Sequence, residues 1–188
     1  MKDVHYTFDV PKGKQRFREL VVYASERSVD DPHFGATKLN KILFYSDFRA
    51  FERFGEPLTG FAYFALPEGP APYLMRPVRS ELEREGAIWV EEKPVGNYSQ
   101  TRTIARRGAF LDLFSLAEIA LVDEVIEELR PKTAREVSLE SHGVAWRTRL
   151  MEGYIPYEAI FYSDEEATPQ DIAEARQLNE RYKWGLRV

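Results

Sequence analysis

The 188-residue chain contains no cysteine, which excludes disulfides, thiolate nucleophiles and thiolate metal sites. Imidazoles are scarce as well. His5, His33 and His142 lie far apart and show neither His-x-x-x-His nor His-Glu-x-x-His spacing, so the common metal-ligand patterns are missing. The phosphate-cradling patterns Gly-x-Gly-x-x-Gly and Gly-x-x-x-x-Gly-Lys-Ser/Thr are absent, as is the nucleophile elbow Gly-x-Ser-x-Gly. Ser141 and His142 are adjacent, but adjacency selects no catalytic triad, and a histidine closing a helix C-terminus is the plainer role. No cofactor is expected. No apolar run approaches the ~20 residues of a bilayer-spanning helix, and the first residues lack the apolar core of a signal peptide. These absences set a cytoplasmic expectation. A net charge of −5 gives no general attraction to phosphate backbones, so nucleic-acid binding would need a local basic patch.

What is present is an ordinary globular composition, 44% hydrophobic and 30% charged, with a rich 13% of aromatic residues. A chain of this length buries roughly 70% of its unfolded surface without staples. The stretch that organises it is Thr37 to Phe54. Leu39, Ile42, Leu43, Phe44, Tyr45, Phe48, Phe51 and Phe54 cover more than the roughly 100° stripe of a surface helix, which predicts a central helix packed on several sides. Thr37 is the expected N-cap, Gly55 the C′ residue and Pro57 the block against continuation. Asn40 and Asp47, two turns apart, share one face of it. If the helix is as enclosed as its pattern, both need hydrogen-bond partners.

Around this centre the reading runs in chain order. Met1–Val10 is an irregular arm; Phe17, Leu20, Val21 and Ala24 recur at helical spacing and predict a helix over Pro11–Arg27. Phe61–Leu66 reads as a short buried strand. The prolines of Pro67-Glu68-Gly69-Pro70-Ala71-Pro72 predict a rigid loop without regular structure, either a connector or a recognition surface. Pro77 and Gly86 bracket a short helix, and Ala87–Glu92 and Tyr98–Ala105 read as a hairpin around Pro94-Val95-Gly96-Asn97. A helix followed by a hairpin with Arg102, Arg106 and Arg107 is wing-like, but Glu81, Glu83, Glu85, Glu91 and Glu92 oppose a phosphate-binding wing.

The second half is helical. Ser115-Leu116-Ala117-Glu118 and Thr133-Ala134-Arg135-Glu136 match the capping box, and Thr168-Pro169-Gln170-Asp171 begins a third helix with proline at N1. Ile119, Val122, Ile126 and Leu129 form one core-facing stripe that Pro131 ends. Tyr154–Tyr162 is an aromatic segment broken by Pro156. The fold class expected is α+β, mostly α-helical, with the buried central helix packed by surrounding helices and a small antiparallel sheet or hairpin.

Lys38-Leu39-Asn40-Lys41-Ile42-Leu43-Phe44-Tyr45-Ser46-Asp47, then Thr59-Gly60 with Gly69-Pro70-x-Pro72, then Ser141-His142 with Trp146 and Ile155-Pro156-Tyr157 together resemble the Panacea domain of SocA-like antitoxins. The resemblance covers about residues 14–165. It implies a single domain over 1–188, with its core at about 14–165 and a C-terminal helix at about 169–183. The family resembled comprises cytosolic bacterial and phage proteins, many encoded beside a toxin that they neutralise by direct binding, and one branch acts as an adaptor delivering its toxin to an ATP-dependent protease. The resemblance therefore implies a protein-binding neutraliser with a toxin partner, no membrane association and no catalytic residues. A DNA-binding regulator and an enzyme with an unrecognised pocket are the competing readings. The motif positions Lys38, Asn40, Asp47, Gly69, Pro70, His142 and Trp146 are either structural or part of the partner surface. Aromatic anchors beside rigid loops dominate interfaces, so Tyr73, Tyr154 and Tyr157 are the candidate partner contacts, unless they close the domain's own core.

Overall fold

The structure, a computed structural model, describes residues 8–95 and 98–183; His5, most of the N-terminal arm and the Gly96-Asn97 turn lie outside them. In chain order the elements are α1 (Gly13–Arg27), α2 (Ala36–Phe54), β1 (Tyr63–Leu66), β2 (Gly69–Pro72), α3 (Met75–Arg84), β3 (Ile88–Val95) and β4 (Tyr98–Ala105). There follow α4 (Leu116–Leu129), α5 (Ala134–Glu140), α6 (Val144–Arg147), β5 (Tyr154–Ile155), a 3-10 turn at Tyr157–Phe161 and α7 (Pro169–Tyr182). The chain is α+β and mostly helical.

Helix α2 is the axis. It is enclosed on most sides, only its last turn with Phe54 being exposed, and it packs against α1, α4, α5, β2 and the 157–161 turn, as its broad apolar cover requires. Gly55 ends it at φ 79 and returns its N–H to Phe51, in the left-handed cap conformation that glycine adopts without a Cβ penalty. Its start differs from the expectation. Gly35 is the N-cap and makes no side-chain hydrogen bond, while Thr37 falls within the first turn. Around α2 the aromatic rings interlock: Phe44, Phe48, Tyr63 and Tyr157 meet at centroid separations of 4.2–6.3 Å, and Phe17 stacks on Phe61 at 3.8 Å.

Two small antiparallel sheets flank the helices, β2-β1-β5 and the β3-β4 hairpin. The Pro67–Pro72 stretch is only partly a loop, which corrects the sequence reading. Gly69–Pro72 pairs with Tyr63–Leu66 as an edge strand. Prolines are tolerated there because Pro70 and Pro72 alternate with Gly69 and Ala71, which keep their N–H groups. The chain closes this sheet late, when Ile155 pairs with Tyr63 and Tyr154 with Phe64.

All three expected helix starts in the second half carry complete capping boxes, at Ser115, Thr133 and Thr168. Pro77 sits within the first turn of α3 rather than at N1, where its missing N–H is equally harmless. The α1–α2 loop is held by a buried ion pair, Lys38 Nζ to Asp31 Oδ2 at 2.7 Å, with Nζ also donating to the Arg130 carbonyl. Arg102 reaches across from β4 to the Asp31 and Ser28 carbonyls. Arg107 forks onto Glu19 with two bonds of 2.7 Å. Two of the three arginines of the wing-like hairpin are thus engaged by the fold itself.

Candidate functional site

Motif positions build two buried polar centres, and the outer face of the small sheet adds an aromatic surface. The first centre is Asp47, fully enclosed on α2. Its Oδ1 accepts from the Thr59 N–H at 2.7 Å, and its Oδ2 accepts from the Thr59 and Tyr63 hydroxyls at 2.5 and 2.7 Å. Burial pushes its carboxyl up to about 6 even though these bonds favour the charged form. Tyr63 and Tyr157 are held well above the usual phenol range by the same burial and by the neighbouring carboxylate. Asn40, its partner in the sequence pattern, is half-buried, and its Oδ1 has no hydrogen-bond partner.

The second centre gathers three separate pieces of the motif. Lys41 Nζ donates to the Pro70 carbonyl at 2.8 Å. Ser141 Oγ donates to the Ser138 carbonyl at 2.6 Å, and Ser138 Oγ donates to the Glu68 carbonyl at 3.0 Å. Gly69, at φ 89, sits between them: a Cβ there would lie 2.2 Å from Ser141 Oγ and 3.0 Å from Lys41 Nζ. Gly69→Ala is therefore expected to lower stability by about 1–2 kcal/mol, from the left-handed backbone together with the displaced Ser141, and a urea midpoint measures it. Unchanged stability would mean that this crowding relaxes freely.

The aromatic surface is the outer face of the β2-β1-β5 sheet. Strand alternation turns Tyr63 and Ala65 into the core and leaves Phe64 and Leu66 half-exposed. Phe64 is flanked by Tyr73 at 5.0 Å and Tyr154 at 6.1 Å. Tyr73 is 55% exposed and Tyr154 half-buried. Tyr157 is placed differently. It is 2% exposed, packs tilted or edge-on among Phe48, Phe51 and Tyr63, and donates its hydroxyl to the Phe61 carbonyl at 2.7 Å, so it closes the domain's own core. Phe64 joins Tyr73 and Tyr154 without having been singled out in the sequence; the signal was its alternation with Tyr63.

On another side of the β1–β2 turn lies a cleft of about 710 Å³. It is bounded by the start of α2, the end of the β3-β4 hairpin, Pro67-Glu68, and α5 with His142. His142 stacks on Trp146 at 3.9 Å, its Nε2 buried without a partner, and the Trp146 indole N–H donates to the Leu66 carbonyl at 2.8 Å. Neither Asp47 nor Lys41, the carboxyl and amine with strongly shifted titration, lines this cleft. Among the described residues there is no cluster of potential metal ligands and no helix long and apolar enough to cross a membrane.

The family model described as antitoxin SocA-like, Panacea domain, matches residues 39–147, and the chain belongs to that family. No curated protein and no solved structure matches it.

Proposed function

We propose that the chain is an antitoxin that neutralises a cognate protein toxin by binding it, without turnover, in the cytoplasm. Membership of an antitoxin family is the observation that carries this reading. The geometry adds a surface for it: Phe64, Tyr73 and Tyr154 form an aromatic patch on a sheet pinned to α2 through Lys41 and Pro70. Large amphipathic rings on a preorganised support lose little entropy on association and supply the residues that dominate binding energy. The enzyme reading is less well supported, because the strongly shifted Asp47 and Lys41 are enclosed by the fold rather than gathered around an opening. The regulator reading weakens because Arg102 and Arg107 are committed to intramolecular acceptors.

Tyr73→Ala tests the surface. Binding to the co-encoded toxin should weaken by about 1–2 kcal/mol, roughly five- to thirtyfold in Kd, with the thermal midpoint unchanged. Loss of binding and stability together would assign Tyr73 to the core instead. Protection by equimolar protein supports stoichiometric neutralisation. Protection by trace amounts would replace it with catalysis or with delivery of the toxin to an ATP-dependent protease.

A further inference from the structure

Lys41 is a buried lysine whose charge the fold does not accommodate. Its side chain is almost fully enclosed on the inner side of the β1–β2 hairpin, and its single hydrogen bond among the described residues goes to the Pro70 carbonyl. An ammonium carries three donors, and each left without an acceptor inside a protein is destabilising. The other elements packed on it offer little compensation. From α5 comes Ser141 Oγ, a neutral hydroxyl that gives its proton to the Ser138 carbonyl and, among the described residues, makes no hydrogen bond with Nζ. From the turn comes Glu68, the one charged group that favours the ammonium. On its own helix, Lys38 is paired with Asp31 one turn before, and the Tyr45 hydroxyl one turn after is pushed up to about 12 and so stays neutral.

We propose that Lys41 is a protonation-sensitive pin. As a neutral amine it locks the Pro67–Pro70 turn and the end of α5 onto α2, and as an ammonium it loosens both. The turn is tied to α5 through Ser138 and Glu68, so the two segments respond together. Desolvation drives the amine down to about 7, which places the change within the physiological range. For a lysine lowered on folding, the unfolded chain binds more protons between the folded and unfolded values. Stability is therefore lowest below about pH 7 and rises with pH from there. The outer side of the same hairpin carries Phe64 beside Tyr73, so a looser turn means a looser toxin-binding patch; only that consequence rests on the antitoxin reading.

The test needs no partner. Hydrogen exchange of the Glu68, Gly69, Ala71 and Ser138–His142 amides, corrected for intrinsic rates, should show protection rising about tenfold from pH 6 to pH 8. In Lys41→Met the same amides should show a flat profile. A response driven by the neighbouring His142 would survive in Lys41→Met and overturn the proposal. Should that variant fail to fold, the titration of Lys41 in the native protein, followed by NMR at Cε and Nζ, decides: a midpoint near neutrality supports the pin, and a lysine still charged above about pH 9 overturns it. A failure of toxin binding in Tyr73→Ala or in the wild type leaves these readouts untouched, so the two proposals fail separately.

Discussion

Phe48→Ala is expected to destabilise the protein by about 3–5 kcal/mol, a large part of the 5–15 kcal/mol that holds an ordinary domain. Phe48 is 0% exposed and lies on α2, where a ring from its own helix and rings from two other segments converge. Its centroid lies 4.2 Å from Phe44, 5.6 Å from Tyr63 and 4.8 Å from Tyr157. Truncation removes the transfer energy of the ring and leaves a cavity whose walls are fixed. Tyr63 is held by Asp47 and Tyr157 by the Phe61 carbonyl, so neither moves in without breaking a buried hydrogen bond. Urea denaturation measures the effect as a lower midpoint at an unchanged slope. A loss below about 1 kcal/mol would show that the core around α2 collapses freely and that α2 is not its axis.

The second large effect is a pH dependence with an unusual sign. Carboxylates paired in the native state make a protein more stable as pH rises through their titration. Asp47 does the opposite, because its folded value of about 6 lies above the roughly 3.9 of an unfolded aspartate. Its contribution is fully present below about pH 4 and is lost as pH climbs through 6, a difference on the order of 3 kcal/mol. The exposed carboxylates Glu127, Glu136 and Asp171 are lowered and slope the other way, so the readout is the difference between the wild type and Asp47→Asn. An asparagine is accommodated because the Thr59 hydroxyl rotates and Tyr63 retains the Leu43 carbonyl at 3.0 Å. Across pH 4–6 the variant should gain on the wild type. A difference that is flat, or reversed, would mean that Asp47 ionises normally inside the core.

Where a residue's role is set by its neighbours in sequence, it was legible beforehand. The enclosure of α2, glycine at its C′ position, the capping boxes at Ser115 and Thr133 and the helix start at Thr168 each reflect local geometry within a few residues, and each stands as read. Where a role is set by distant segments, the sequence was mute. Asp47 visibly needed partners, but nothing local announces that Thr59 and Tyr63 supply them. Lys41 looked like one more charge on a helix until Pro70 and Ser141, from two other parts of the chain, closed over it. Strand β2 was hidden for another reason. Proline reads as a breaker unless its strand is known to lie at an edge, and that is a fact about the sheet rather than about the residue. Tyr154 and Tyr157, three positions apart and chemically identical, separate because β5 leaves the first on the sheet's outer face while the 3-10 turn folds the second beneath it.

The late closure of the β2-β1-β5 sheet bears on synthesis. The ribosome delivers Phe64 and Tyr73 early, at roughly 5–20 residues per second, but Tyr154 and the Tyr63–Ile155 pairing arrive only when most of the chain has been made. The Tyr157 hydroxyl closes onto Phe61 across 96 positions of sequence, a long-range contact whose closure entropy makes it one of the last to form. A nascent chain, or one terminated before Tyr154, therefore carries two of the three patch aromatics on an unfinished sheet. Completion of this surface therefore tracks the count of finished polypeptides, and translation stalled midway leaves protein that is present without it.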